Sequence, residues 1–257
     1  MAFMRLSLAH CTSGDLRAST GLTGPHMQYL VGQLWELASD TGLGRPWSLP
    51  FADRTLLVVL AYRTNLAMQQ LGSLFGISHA AAHRVMTRLA APLAELLGPA
   101  PAERRELWVV DATLIPVHDR QRTAKSKNYR RSVNVQIVCR ARDRRVVAVK
   151  NAWPGNRNDI VVFRKTLAET LPDHPRLSGD GGYRSCARIR TPRRGPDGRL
   201  ITDRTYRRFR KRRAIAKHTI ARLKEHQILR RCRRRGNAIN HAVAGVAALH
   251  NLKIDIR

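Results

Sequence analysis

The chain's 257 residues include 47 Lys and Arg against 18 Asp and Glu, a formal net charge of +29, with 43% hydrophobic and 5% aromatic residues. Such an excess repels itself unless a polyanion shares it, so nucleic acid is the first expected partner and an anionic membrane surface the second. The length suits one large domain or two smaller ones, while Cys11, Cys139, Cys186 and Cys232, none at C-x-x-C spacing, argue against a zinc site or a disulfide framework and fit a reducing cytoplasm. No clear signal-peptide core opens the chain, and the apolar run 56–62 is far too short to span a bilayer. Arg far outnumbers Lys, which suits bidentate phosphate contact and also a GC-rich genome.

Residues 1–45 are punctuated by Gly14, Gly21, Gly24, Pro25, Gly42 and Gly44. Within them, 26–38 reads as an amphipathic helix, with Leu30, Leu34 and Leu37 at helical spacing; no chemistry is assigned there. Residues 46–100 read as a helical domain. Asp53 is a candidate N-cap for a helix over 54–63, Asn65 for one over 66–75, and Ser78 for one over 79–97 interrupted by Pro92. Helix, short glycine turn at Gly76 and Ser-capped helix is the layout of a helix-turn-helix. Leu71, Phe75, Ile77, Val85 and Leu89 would form its core. His79, His83, Arg84 and Arg88 would project from the last helix toward a groove of double-stranded DNA. An ordinary three-helix bundle is the competing reading.

Pro99, Pro101 and the charged stretch 103–106 read as a linker to a further domain, 107–257. That domain is organised around LWVVDATLIPV, residues 107–117, an apolar run with Asp111 in its middle. The run reads as a buried strand, in which a lone carboxylate costs several kcal/mol unless a metal ion or a fixed cation compensates it. Alternatively Asp111 sits at a frayed strand end. A basic segment follows, containing Lys125, Lys127, Arg130 and Arg131, then strands over 134–140 and 145–149 with Asp143 in the turn between them. A helix is expected from Asn158 or Asp159 to about Thr170. The stretch 177–183, LSGDGGY, reads as a short strand ending in Asp180 on a glycine turn. After a basic insertion, 184–199, a long helix is expected from Thr202 or Asp203 to about Arg231, and a terminal helix over 241–254.

Strand, strand, strand, helix, strand, insertion, helix is the element order of a ribonuclease-H-like α/β architecture, in which the first and fourth strands lie side by side. That pairing would bring Asp111 and Asp180 together, and two carboxylates at strand ends suit oxygen-seeking Mg²⁺ in a phosphoryl transfer. Gly181 and Gly182 could equally mark a turn that Asp180 merely caps. On the long helix, Ala216, Ile220 and Leu223 form the inward stripe. At about 100° per residue, Lys217 is expected on the inward side between Ile220 and Ile228. Glu225 lies eight residues on, about 12 Å along the axis, too far to replace it.

These residues resemble a known family. VVDATLIPV, KSKNYRRSVNVQIV, PGNRNDI, GDGGY, RRAIAKHTIARLKEHQILR and GVAALHNL are together similar to the DDE transposases of the insertion-sequence 5 group, in the DDE superfamily endonuclease branch. The resemblance covers residues 107–252. It implies a ribonuclease-H-like catalytic domain, Mg²⁺ as cofactor, cleavage at element ends and transfer of a 3′ hydroxyl into target DNA. Asp111 and Asp180 take the two Asp positions, both catalytic and metal-binding. Asp159 matches a family Asp read as structural. Where the family has Glu on the long helix, this chain has Lys217, which could pair with Asp111 or Asp180 in the metal's place and inactivate this copy.

A catalytically dead DNA-binding regulator is the alternative from a different class. RNA binding by stacking is poorly supported with so few aromatics. Arg207, Arg208, Arg212 and Arg213, with the cluster 230–235, read as phosphate contacts, against the plainer reading of a solvated arginine-rich face. The expected place is the cytoplasm, on the nucleoid, without a membrane partner; a homodimer is compatible with the sequence.

Overall fold

A computed structural model describes residues 5–40, 46–129 and 131–256. Five helices come first. α1 (Ser13–Thr20) starts on a reciprocal cap between Thr12 and Asp15, and α2 (Gly24–Ala38) starts on Thr23 with Pro25 in its first turn. α3 (Phe51–Thr64) is buried almost all round. α4 (Met68–Phe75) and α5 (His79–Glu95) form the expected helix–turn–helix pair.

Two of the expected caps have other roles. Asp53 lies inside the first turn of α3, buried, where it accepts hydrogen bonds from Ser7 Oγ at 3.1 Å and Leu8 N–H at 2.7 Å. Asn65 closes α3 at its C-terminal end, in the left-handed conformation with φ 56°. An Asx residue tolerates that region, so the same residue type that signals a helix start here marks a helix end. Pro92 does not interrupt α5, which runs through it.

The sheet is built from β1 (Trp108–Pro116), β2 (Ser132–Arg140), β3 (Val146–Val149), β4 (Trp153–Pro154) and β5 (Leu177–Ser178). Its order is β3-β2-β1-β5, with β4 pairing β2. β1 and β2 are antiparallel, Asp111 opposite Ile137, and β1 and β5 are parallel, Trp108 opposite Leu177. Three antiparallel strands followed by a parallel fourth beside the first is the ribonuclease-H-like arrangement.

Alternate β1 side chains face opposite layers, as the pleat requires. Trp108 and Val110 join Phe163 of α6 (Asp159–Lys165), while Val109 joins Cys139 and Ala216 of α7 (Arg204–Leu223). α6 is shorter than the sequence suggested, and so is α7. Its expected continuation to Arg231 is instead a turn, a 3-10 segment at Gln227–Leu229 and an irregular arginine run.

α8 (Ala238–Asp255) binds the two halves together. It packs on α5 and on β3, and one continuous hydrophobic cluster runs from Leu71 and Leu89 through Val243 and Leu249 to Ile115 and Val135. Gly245 permits the approach. A Cβ there would lie 3.0 Å from Tyr62 and 3.2 Å from Leu93.

His226, 1% exposed, sits at the end of α7 with neither ring nitrogen hydrogen-bonded. Burial, helped by Lys253, pushes its pKa down to about 3. A depressed histidine is held neutral by the fold, so stability falls as pH drops below the ordinary value of about 6.5 and continues to fall towards about 3. His226→Leu is expected to flatten that acid limb. Thermal melts at neutral pH and at about pH 4.5 would show it; a wild type and variant that lose stability in parallel would contradict it.

Candidate functional site

Asp111 lies mid-strand, with ladder partners in β1 on either side of it, which removes the frayed-end alternative. The β1–β5 register fixes what stands beside it. Val109 pairs with Ser178 at the end of that ladder, and Asp180, two residues beyond in extended conformation, lies close enough to act on the Asp111 carboxyl. Gly179 turns the other way. A Cβ there would lie 3.0 Å or less from Tyr183, Ile189 and Val110, so only glycine lets the chain lie this close to the sheet.

Asp180 has two engagements. One carboxylate oxygen accepts from Gly182 N–H at 2.8 Å, capping the 3-10 turn Gly181–Tyr183, and the other faces Arg213 at 3.3 Å. The capping alternative therefore holds together with the charged one. Asp111 accepts a hydrogen bond from Ala112 N–H at 3.1 Å. Its pKa is raised, chiefly by burial. Arg213 is the strongest opposing influence, Asp180 pushes it further up, and Lys217 pulls it down.

Lys217 does not point inward. It is exposed, and the residues of α7 buried against the sheet are Ala216, Thr219 and Leu223. The expected position used Ile228 as a marker, but the helix ends at Leu223, so Ile228 does not share its periodicity. Lys217 and Arg213 are four residues apart and share a helix face. Arg213, not Lys217, makes the ion pair. Asp111, Asp180, Arg213 and Lys217 together sum to a formal charge of zero, where an acid at position 217 would leave them at about −2.

A cleft of 740 Å³ opens beside these residues, lined by Ala112, Gly182, Asn134, Asp159, Lys125 and Lys127, among others. Asp159 accepts from Asn134 Nδ2 at 2.8 Å, and Gln136 Nε2 donates to its backbone carbonyl. These bonds tie the start of α6 to β2. Burial raises the Asp159 pKa, with Asn134 opposing and Asp180 adding to the rise. Among the described residues, no three His, Cys, Asp or Glu side chains converge as a metal site.

In the helix pair, Leu71, Phe75, Val85 and Leu89 are buried and Ile77 partly so, while His79, His83, Arg84 and Arg88 are exposed on α5. Ser78 caps α5 through Ala81 N–H at 3.1 Å. The turn is tight: a Cβ on Gly72 would lie 2.6 Å from the Ile77 carbonyl, and Gly76 has φ 64°. Lys125 and Lys127 are exposed, as are Arg207, Arg208 and Arg212 of α7; Arg130 lies outside the described residues.

Residues 103–252 match the family described as transposase DDE domain, and residues 47–99 match the helix-turn-helix of DDE superfamily endonuclease. The chain belongs to the DDE transposase family. It is also 38% identical over 217 residues, 82% of this chain and 83% of the other, to a protein of Streptomyces albus G named as a transposase for insertion sequence element IS112. Membership implies DNA binding and a DNA endonuclease and transposition activity, for which the family generally uses a divalent metal. No helix among the described residues is long and apolar enough to cross a membrane.

Sequence reading of this transposase missed the part Arg213 plays. It looked like one more arginine in a basic run, and only its position four residues before Lys217 hinted at a shared face. Arg213→Gln is expected to raise the Asp111 pKa further, because the strongest charge opposing burial is removed. Carboxyl carbon NMR titration would read it, and an unchanged or lowered value would show that the pairing has little influence on Asp111.

Proposed function

We propose that this transposase binds the ends of an insertion sequence of the insertion-sequence 5 group. Its α5 presents His79, His83, Arg84 and Arg88 to the major groove, while Lys125, Lys127, Arg207, Arg208 and Arg212 hold phosphates. Asp111 and Asp180 mark the cleavage centre, on the chain's own genome in the cytoplasm. The observation that supports this reading is the parallel pairing of β1 with β5, which leads Asp180 toward Asp111, with Arg213 of α7 paired to Asp180.

The Mg²⁺ that the resemblance implies does not fit the donor set. Two carboxylates remain, one already paired with Arg213, and an exposed Lys217 stands where a third acid is expected. Hard divalent ions are held by the charge and number of their oxygen ligands. A formally neutral cluster supplies neither in full. We therefore infer that this copy binds DNA and cleaves it poorly or not at all. The neutralised centre equally favours a second reading, a DNA-binding regulator that has kept the helix-turn-helix and lost strand transfer.

The test compares wild type with Lys217→Glu in Mg²⁺ titration by calorimetry and in a nicking assay on the cognate element end. The substitution is expected to tighten Mg²⁺ by about tenfold or more, since it removes one positive charge and adds one negative, and to raise nicking. Asp111→Ala and Asp180→Ala in that background are expected to abolish nicking and to leave duplex affinity within about twofold. Vigorous nicking by the wild type would overturn the inactivation. Nicking by Lys217→Glu that survives both alanine substitutions would overturn the assignment of the two carboxylates.

A further inference from the structure

Between the helix-turn-helix and the arginine run that leads into α8 lies a second cleft, of 640 Å³. One wall carries His83 and Thr87 of α5, and the other carries Arg233, Arg234, Arg235 and His241. None of its lining residues is acidic. Asp119 is held by Gly236 N–H at 2.8 Å and does not line it. Two helices begin at the cleft, α4 behind Ala67, which has no side chain able to cap, and α8 behind Asn237, whose side chain caps nothing. The first-turn N–H groups of such helices favour an anion.

The walls are fixed before any ligand arrives. Arg233 donates to the Asn65 carbonyl at the α3–α4 turn, and Asn65 Nδ2 donates back to the Arg231 carbonyl at 2.7 Å. Arg234 is half-buried between them, and its Nε, fully buried, has no hydrogen-bond partner. An unpaired buried guanidinium N–H is costly. Here it comes with cations on both sides and no lining carboxylate to receive it.

We propose that this cleft grips a backbone phosphate of the duplex that α5 reads, with Arg234 as the inner ligand, Arg233 and Arg235 beside it, and His83 and Thr87 closing from the recognition helix. The proposal rests on the reading of α5 as a DNA-contacting helix. It adds a fixed point. A phosphate held at once by α5 and by the arginine run ties both elements to one point on the duplex. A preorganised clamp of this kind contributes affinity without ordering loops, and it carries no base information.

The experiment uses the full chain and a short duplex that the protein selects from a random pool. Single phosphates of that duplex are replaced in turn by neutral methylphosphonate, and affinity is read by fluorescence anisotropy. Wild type is expected to lose about tenfold at one phosphate beside the α5 contacts. Arg234→Gln is expected to bind the unmodified duplex about tenfold more weakly, to lose nothing further at that phosphate, and to reduce the slope of log affinity against log salt by about 0.9. Should Arg234→Gln lower the melting temperature, Arg235→Gln, at an exposed position, is expected to show the same non-additivity in weaker form. Losses in Arg234→Gln and Arg235→Gln that simply add to the methylphosphonate loss would overturn the phosphate clamp while leaving DNA reading by α5 intact. Failure to enrich any duplex would overturn that reading, and the clamp with it.

Discussion

The parallel pairing of β1 with β5 positions the charges of the candidate centre. Val109 stands opposite Ser178 at the end of that ladder, and Asp180 lies two residues beyond it in extended conformation. Burial raises the proton affinity of Asp111, and the Asp180 carboxylate adds to the effect. Something cationic must offset it. α7, packed by Ala216 against Val109 and Cys139, delivers Arg213 to Asp180, while Lys217 stays exposed and acts on Asp111 only through its charge. The helix thus brings positive charge to the two acids.

That charge is local. It leaves intact the sheet order, the glycine turn after Asp180, the cap on α5 and the arginine-rich faces, so a chain with a neutralised centre keeps the parts that hold DNA. The net charge of +29 is spread over surfaces far larger than this one cluster.

The helical and sheet halves are not beads on a linker. α8, the last element, inserts between α5 and β3, and the apolar cluster crosses from one half to the other without a gap. The glycine at position 245, in contact with Tyr62 and Leu93, shows how closely the surfaces meet. Rigid packing of this kind fixes the reading helix relative to the carboxylates, and the arginine run 231–235, hydrogen-bonded to Asn65, fastens the same junction at its edge.

Much of this was legible in the residues themselves. Alternating and continuous apolar runs gave the strands around Asp111 and over β2 and β3, and Ser78 with Gly76 gave the helix–turn–helix. Periodicity could not see where α7 stops, because the chain beyond Leu223 stays basic and helix-compatible while its backbone turns to satisfy packing under His226 and Ile228. For the same reason Lys217 was expected inward and lies outward. Asn65 and Asp53 carried cap chemistry whose direction local sequence does not specify. The sequence by itself determined which elements form and which charges are present, since those follow from short-range pattern and composition. Which groups meet, Arg213 with the Asp180 carboxylate and Arg233 with the Asn65 carbonyl, came from the folded chain alone, because those pairings depend on strand register and helix rotation, and both are set by contacts between residues far apart in the chain.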